Sequence, residues 1–230
     1  KTKDFGERFA NPLIEQNGKF LDRNKDLYGP DIVSDYAIDF IQRNKEKPFF
    51  LYYPMLLAHN PFVPTPNSKE WSNPNLRYKT NKLFFKDMVE YMDKIVGKII
   101  HELKAQGVED NTLLIFLGDN GTNRTLVTKT VNGDVKGAKG NTITHGVHVP
   151  MIASWPSKIK KPVIYDGVVD LTDFYATFSD ILNVANDSDG ESLMDIFSSN
   201  KKNIREIVTI YYDPKWSINV SKYRNIFSQN

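Results

Sequence analysis

The chain has 230 residues, 40% of them hydrophobic, enough for one large domain or one and a half small ones with a real core. Basic residues number 30 against 28 acidic, a formal net charge of +2, which argues against a dedicated nucleic-acid binder with its strong basic excess. Cysteine is absent, which excludes disulfides, thiolate metal sites and a cysteine nucleophile, and no apolar run approaches the roughly 18 residues of a membrane-spanning helix.

In chain order, the first thirty residues are polar and lack a clear period. The stretch "GPDIVSDYAIDFIQRNKEKP" predicts a helix. Pro30 fits its first turn, and Ile32, Val33, Tyr36, Ala37, Phe40 and Ile41 recur at helical spacing. The continuous apolar run "FFLYYPM" predicts a buried strand, and the proline-rich "LLAHNPFVPTPNSKEWSNPN" a long loop. The segment "NKLFFKDMVEYMDKIVGKIIHELKAQG" predicts the most secure helix. Its stripe is Leu83, Phe84, Met88, Tyr91, Met92, Ile95, Ile99 and Leu103, and Gly107 is its stop.

A second buried strand is predicted at "TLLIFLG", followed from Asn120 to Val147 by a long polar loop without periodicity. "VHVPMIASWP" reads as a third strand and "LTDFYATFSDILN" as a third helix. Two alternating strand candidates in "REIVTIYYDPKWSINVSKYRNIFSQ" close the chain. Buried strands alternating with amphipathic helices predict an α/β fold with a mostly parallel sheet sandwiched by helices. Ligands in such folds sit past the carboxyl ends of strands, where the long loops of this chain fall.

Three polar clusters occupy those positions. His59 follows "FFLYYPM", Asp119 and Asn120 follow "NTLLIFL", and Lys136, Lys139, His145 and His148 precede the third strand. A carboxylate beside an amide carbonyl is a hard-oxygen pair suited to calcium or magnesium. Taken alone, Asp119-Asn120-Gly121 fits a tight turn with an Asx hydrogen bond better than a metal corner. His59 fits a general acid or anion contact, or a structural hydrogen-bonder. Lys139 lies between small neighbours in "GAKGN", which let a point charge approach an anion, and solvent is its ordinary alternative. His145 and His148 lack a third nitrogen or thiolate ligand, which argues against zinc.

The order of these clusters is more specific than any one of them. "KPFFLYYPMLLAHNPFVPTP", "DNTLLIFLGDNGT", "KGAKGNTITHGVHVPMIASWP", "VVDLTDFYATFSDILNV" and "DGESL" together resemble the sulfatase family of the alkaline-phosphatase-like superfamily, from about Tyr28 onward. The resemblance implies that Asp119 and Asn120 bind one Ca2+ or Mg2+ ion. It implies that Lys139 contacts the sulfate group, and that His59 contacts the sulfate or the leaving-group oxygen. His145 and His148 stand where many members carry other residues, and are candidate substrate contacts. The implied substrate is a small-molecule or carbohydrate sulfate ester, and the implied compartment is periplasmic or secreted.

The family's formylglycine nucleophile arises in a Cys/Ser-x-Pro/Ala-x-Arg motif, which this sequence does not contain. The family's early aspartate pair and its lysine–histidine pair are also missing. The expectation is therefore a partial sulfatase α/β domain over 1–203 and the opening of a small carboxyl-terminal antiparallel sheet over 204–230. Such a fragment would be inactive alone and would hold only half of a metal shell. It would also present an open sheet edge to a missing amino-terminal segment or to a second copy. The alternatives are a phosphoester or phosphonate-ester hydrolase of the same superfamily, and a non-catalytic remnant that pairs with another chain.

Overall fold

The structure is a computed structural model that describes residues 8–22, 26–198, 204–212 and 223–228. The chain divides into two compact units, Lys1–Glu109 and Asp110–Asn230.

In the first unit, β1 (Glu15–Gln16) and β2 (Lys19–Phe20) form a minimal hairpin. Its turn is Asn17-Gly18, both at positive φ (52° and 77°), the geometry of a primed two-residue turn. Helix α1 (Gly29–Asn44) carries Pro30 in its first turn, as its sequence predicts, and buries Ser34, Ala37 and Ile41. Tyr36, assigned to the apolar face from sequence, is exposed. Ser34 is buried in the stripe and donates to the Asp31 carbonyl at 2.9 Å.

Helix α2 (Phe84–Ala105) buries Phe84, Met88, Tyr91, Ile95, Ile99 and Leu103, steps of three and four that trace one stripe. It begins three residues later than predicted, and Leu83 is exposed. The helix stops as read: Gly107 takes φ 70°, and the Gly107 and Val108 amides donate back to Lys104 and Leu103. Tyr91 Oη donates to both Asp31 carboxylate oxygens at 2.9 and 2.8 Å, joining α2 to α1. Phe9, Trp71 and Tyr91 pack around Tyr28.

Two predictions for this unit change. Residues 48–56 take no regular secondary structure and join no ladder among the described residues, and Phe50 and Tyr52 are exposed. A strand is completed by a neighbour's hydrogen bonds, which a local apolar run cannot supply. The proline-rich loop is built rather than loose. Phe62, Val63 and Thr65 are buried, and the Ser68 hydroxyl accepts from the Thr65 amide and donates to Asp87 of α2 at 2.6 Å.

In the second unit, β3 (Leu114–Leu117) pairs antiparallel with β6 (Met151–Ser154), in register from Leu114↔Ser154 to Leu117↔Met151. Between them lies a second hairpin, β4 (Val127–Thr130) with β5 (Gly133–Lys136), and a single helical turn, α3 (Thr144–Val147). These elements fall within 120–147, a stretch whose sequence predicts a long loop without regular structure. The signal for this hairpin is the Asn132-Gly133 turn. Helix α4 (Asp173–Leu182) ends on Asn183 at φ 53°, and α5 (Met194–Phe197) follows.

Leu193, Phe197 and Ile204 form the centre of this unit's core, with Leu113, Met151, Ala153 and Phe174 against them. Strands β7 (Ile207–Tyr212) and β8 (Tyr223–Ser228) pair antiparallel, as the alternation at the end of the chain predicts. The connection over 213–222 lies outside the described residues.

The α/β alternation stands. Every ladder among the described residues is two-stranded and antiparallel, and none shows the expected parallel pairing.

Candidate functional site

Strand β3 delivers the chain to Gly118, and the corner that follows is fixed by backbone. The Gly118 amide donates to the Pro150 carbonyl at 3.1 Å, and the Gly121 amide donates to the Gly146 carbonyl at 2.9 Å. Gly121 is glycine for a steric reason. A Cβ there would stand 2.1 Å from the His145 carbonyl oxygen and 2.7 Å from Gly146 Cα. The corner holding Asp119 and Asn120 is thereby pressed against the turn of α3. Asp119 is exposed and Asn120 half-buried.

A cavity of about 190 Å³ opens beside this corner, lined among others by Asn120, Lys136, His145 and His148. Four residues singled out from sequence thus share one groove. Asp119 and Lys139 are not among its lining residues. Lys139 is half-buried, and its amide donates to the Thr122 carbonyl at 3.0 Å, just past the Asp119 corner. His145 and His148 are both exposed, and the His148 amide closes the turn of α3 on the Thr144 carbonyl at 2.8 Å.

His59 belongs to the first unit. Its Nδ1 lies 2.6 Å from its neighbour's carbonyl, Asn60 O, and 3.3 Å from Arg8 Nη1. A protonated Nδ1 donates to the carbonyl, whereas accepting from arginine requires the other tautomer. The shorter contact favours the first, which leaves Nε2 as the unprotonated nitrogen of the neutral ring.

The donor chemistry at Asp119 and Asn120 fits a hard divalent cation, but it fills two positions of the roughly six to eight that calcium takes. Among the described residues, no group of three or more histidine, aspartate or glutamate side chains is arranged to hold a metal. No helix among them is long and apolar enough to cross a membrane.

One contact beside the candidate site has no counterpart in the sequence pattern. Arg124 Nε donates to the Lys139 carbonyl at 2.6 Å, and its Nη2 to the Gly140 carbonyl at 2.9 Å. No local pattern announces this contact, since it joins residues 15 and 16 positions apart.

The chain is 33% identical over 168 residues to Arylsulfatase H of Homo sapiens, covering 69% of this chain and 28% of that one. It is 30% identical over 162 residues to N-acetylgalactosamine-6-O-sulfatase of Bacteroides thetaiotaomicron, covering 66% and 30%. It thus spans less than a third of the length of these relatives. The crystal structure of Ps i-CgsB superposes with a TM-score of 0.72 at 27% identity, over 88% of this chain and 45% of that one. The model of the Sulfatase family matches residues 7–184, most of the chain, and the chain belongs to the sulfatase family.

Proposed function

We propose that this chain carries part of the active site of a metal-assisted, arylsulfatase-like sulfuric ester hydrolase. The observation that supports this most is the pinned corner Gly118–Gly121, which lays Asn120 in one groove with Lys136, His145 and His148. In this reading Asp119 and Asn120 would supply two of the oxygen ligands of a Ca2+ or Mg2+ ion, which when bound would offset negative charge on the sulfate and on the leaving oxygen. Lys139 contributes a point charge to the sulfate group. His59 Nε2 contacts the sulfate or the leaving-group oxygen, and when protonated it donates a proton there. His145 and His148 contact the organic part of the substrate.

The substrate is an aryl or carbohydrate sulfate ester, the classes that the names of the two relatives carry. The compartment is the periplasm or the cell exterior, by analogy with the family. A formylglycine nucleophile has to come from outside these 230 residues, since its motif is not among them. The 230 residues alone are therefore inactive, and their metal affinity is weak. The hairpin β7–β8 opens a small carboxyl-terminal sheet that starts at about residue 204.

The test is hydrolysis of a chromogenic aryl sulfate, with the formylglycine-bearing segment supplied on the same polypeptide. Asp119→Ala and Lys139→Ala are each expected to lower kcat/KM by about 100-fold or more. Full activity in both variants, or turnover by the 230-residue chain alone, would overturn the proposal.

A further inference from the structure

Arg124 is exposed, yet its guanidinium is not left wholly to water. Two of its five N–H groups are spent on consecutive backbone carbonyls, those of Lys139 and Gly140. Those carbonyls belong to the two peptide planes that follow the Lys139 Cα. Holding both planes fixes ψ of Lys139 and the backbone of Gly140, and so the direction from which the lysine side chain departs.

The surrounding structure fits this clamp. Gly140 sits at φ 77°, in the left-handed region, and a Cβ there would come within 3.0 Å of Arg124 Nη2. On either side of Arg124 in the chain, Asn123 Oδ1 accepts from the Thr125 amide at 2.9 Å, a local turn that anchors the arginine's own backbone. The Lys139 amide to the Thr122 carbonyl completes a three-bond stitch between residues 122–124 and 139–140.

We infer that Arg124 is a positioning residue for Lys139: its forked contact with the Lys139 and Gly140 carbonyls aims the lysine at the anionic group of the substrate. The inference rests on the proposed role of Lys139 in sulfate binding. A lysine at position 124 would bring a point charge without the planar fork, so it would not hold two carbonyls at once.

The test is a double-mutant cycle read by aryl sulfate hydrolysis, on the polypeptide that includes the formylglycine segment. Arg124→Ala is expected to raise KM about 10-fold, with a smaller change in kcat. Arg124→Lys recovers little of the loss, whereas added guanidinium ion recovers part of it in Arg124→Ala. The decisive readout is Arg124→Ala combined with Lys139→Ala, expected to be no worse than Lys139→Ala alone. Losses that multiply in the double variant would show that Arg124 does not act through Lys139 and overturn the inference. So would an unchanged Arg124→Ala enzyme beside an impaired Lys139→Ala enzyme. If Arg124→Ala fails to fold, the same cycle run with Arg124→Lys decides. An unaffected Lys139→Ala enzyme would instead refute the sulfate-binding role on which the inference rests.

Discussion

Replacing Gly121 by alanine tests the packing that builds the site corner. The new Cβ would lie 2.1 Å from the His145 carbonyl oxygen and under 3 Å from two Gly146 backbone atoms. Ordinary contact begins at 3.4 Å, so the two segments must part by about 1.3 Å. All three clashing atoms are backbone, so no side-chain rotation relieves them. Overpacking of this kind costs about 1–3 kcal/mol. The separation also breaks the Gly121 amide's bond to Gly146, worth about 1 kcal/mol.

The total is about 2–4 kcal/mol. At about 4 °C per kcal/mol for a unit of this size, the melting temperature of the second unit falls by roughly 8–16 °C. The assay is thermal unfolding followed by circular dichroism. Gly97→Ala provides the control, because a Cβ there meets nothing within 4 Å and the residue lies inside α2. That change is expected to stabilise by up to about 1 kcal/mol through helix propensity. A Gly121→Ala protein that melts at or above the wild type would refute the argument.

Two further outcomes follow from buried polar groups. Asp173 is fully buried, accepts from the Asp170 and Glu191 amides at 2.8 Å each, and pairs with Arg205. Asp173→Ala leaves that arginine and two amides without their partner and is expected to cost about 3–5 kcal/mol, read from urea midpoints; a change under about 1 kcal/mol would contradict the assignment. In the first unit, burial raises the Tyr28, Tyr53 and Tyr91 hydroxyls above their usual value of 10, with Tyr53 pushed up to about 12. The folded state therefore holds these protons longer than the unfolded chain, so stability is complete below pH 10 and declines as pH rises toward about 12. Phenolate absorbance should show these three among the 11 tyrosines ionising last, together with unfolding; titration of all 11 near pH 10 in a folded protein would contradict it.

The residues of the proposed site are legible in the sequence. Asp119, Asn120, Lys139 and the two histidines are marked by their place after or before apolar runs, and by an order that matches a family. The helices were legible because their stripes are local: Met88, Tyr91 and Ile95 declare a buried face whatever lies against it. Hairpin β4–β5 was legible in principle from Asn132-Gly133, but its strands are exposed and lack the apolar alternation that draws attention.

By itself, then, the sequence determined the three long helices, the helix stop at Gly107 and the residue types available for chemistry. These depend on spacing and backbone preference within a few residues. Only the tertiary structure decided that "FFLYYPM" joins no ladder among the described residues, and that β3 runs antiparallel to β6. It also decided that Gly121 lies against Gly146, and that Arg124 holds the Lys139 loop. Each of these turns on whether a hydrogen bond or close approach forms between residues far apart in the chain, and local preference carries no information about which distant carbonyl a donor will meet.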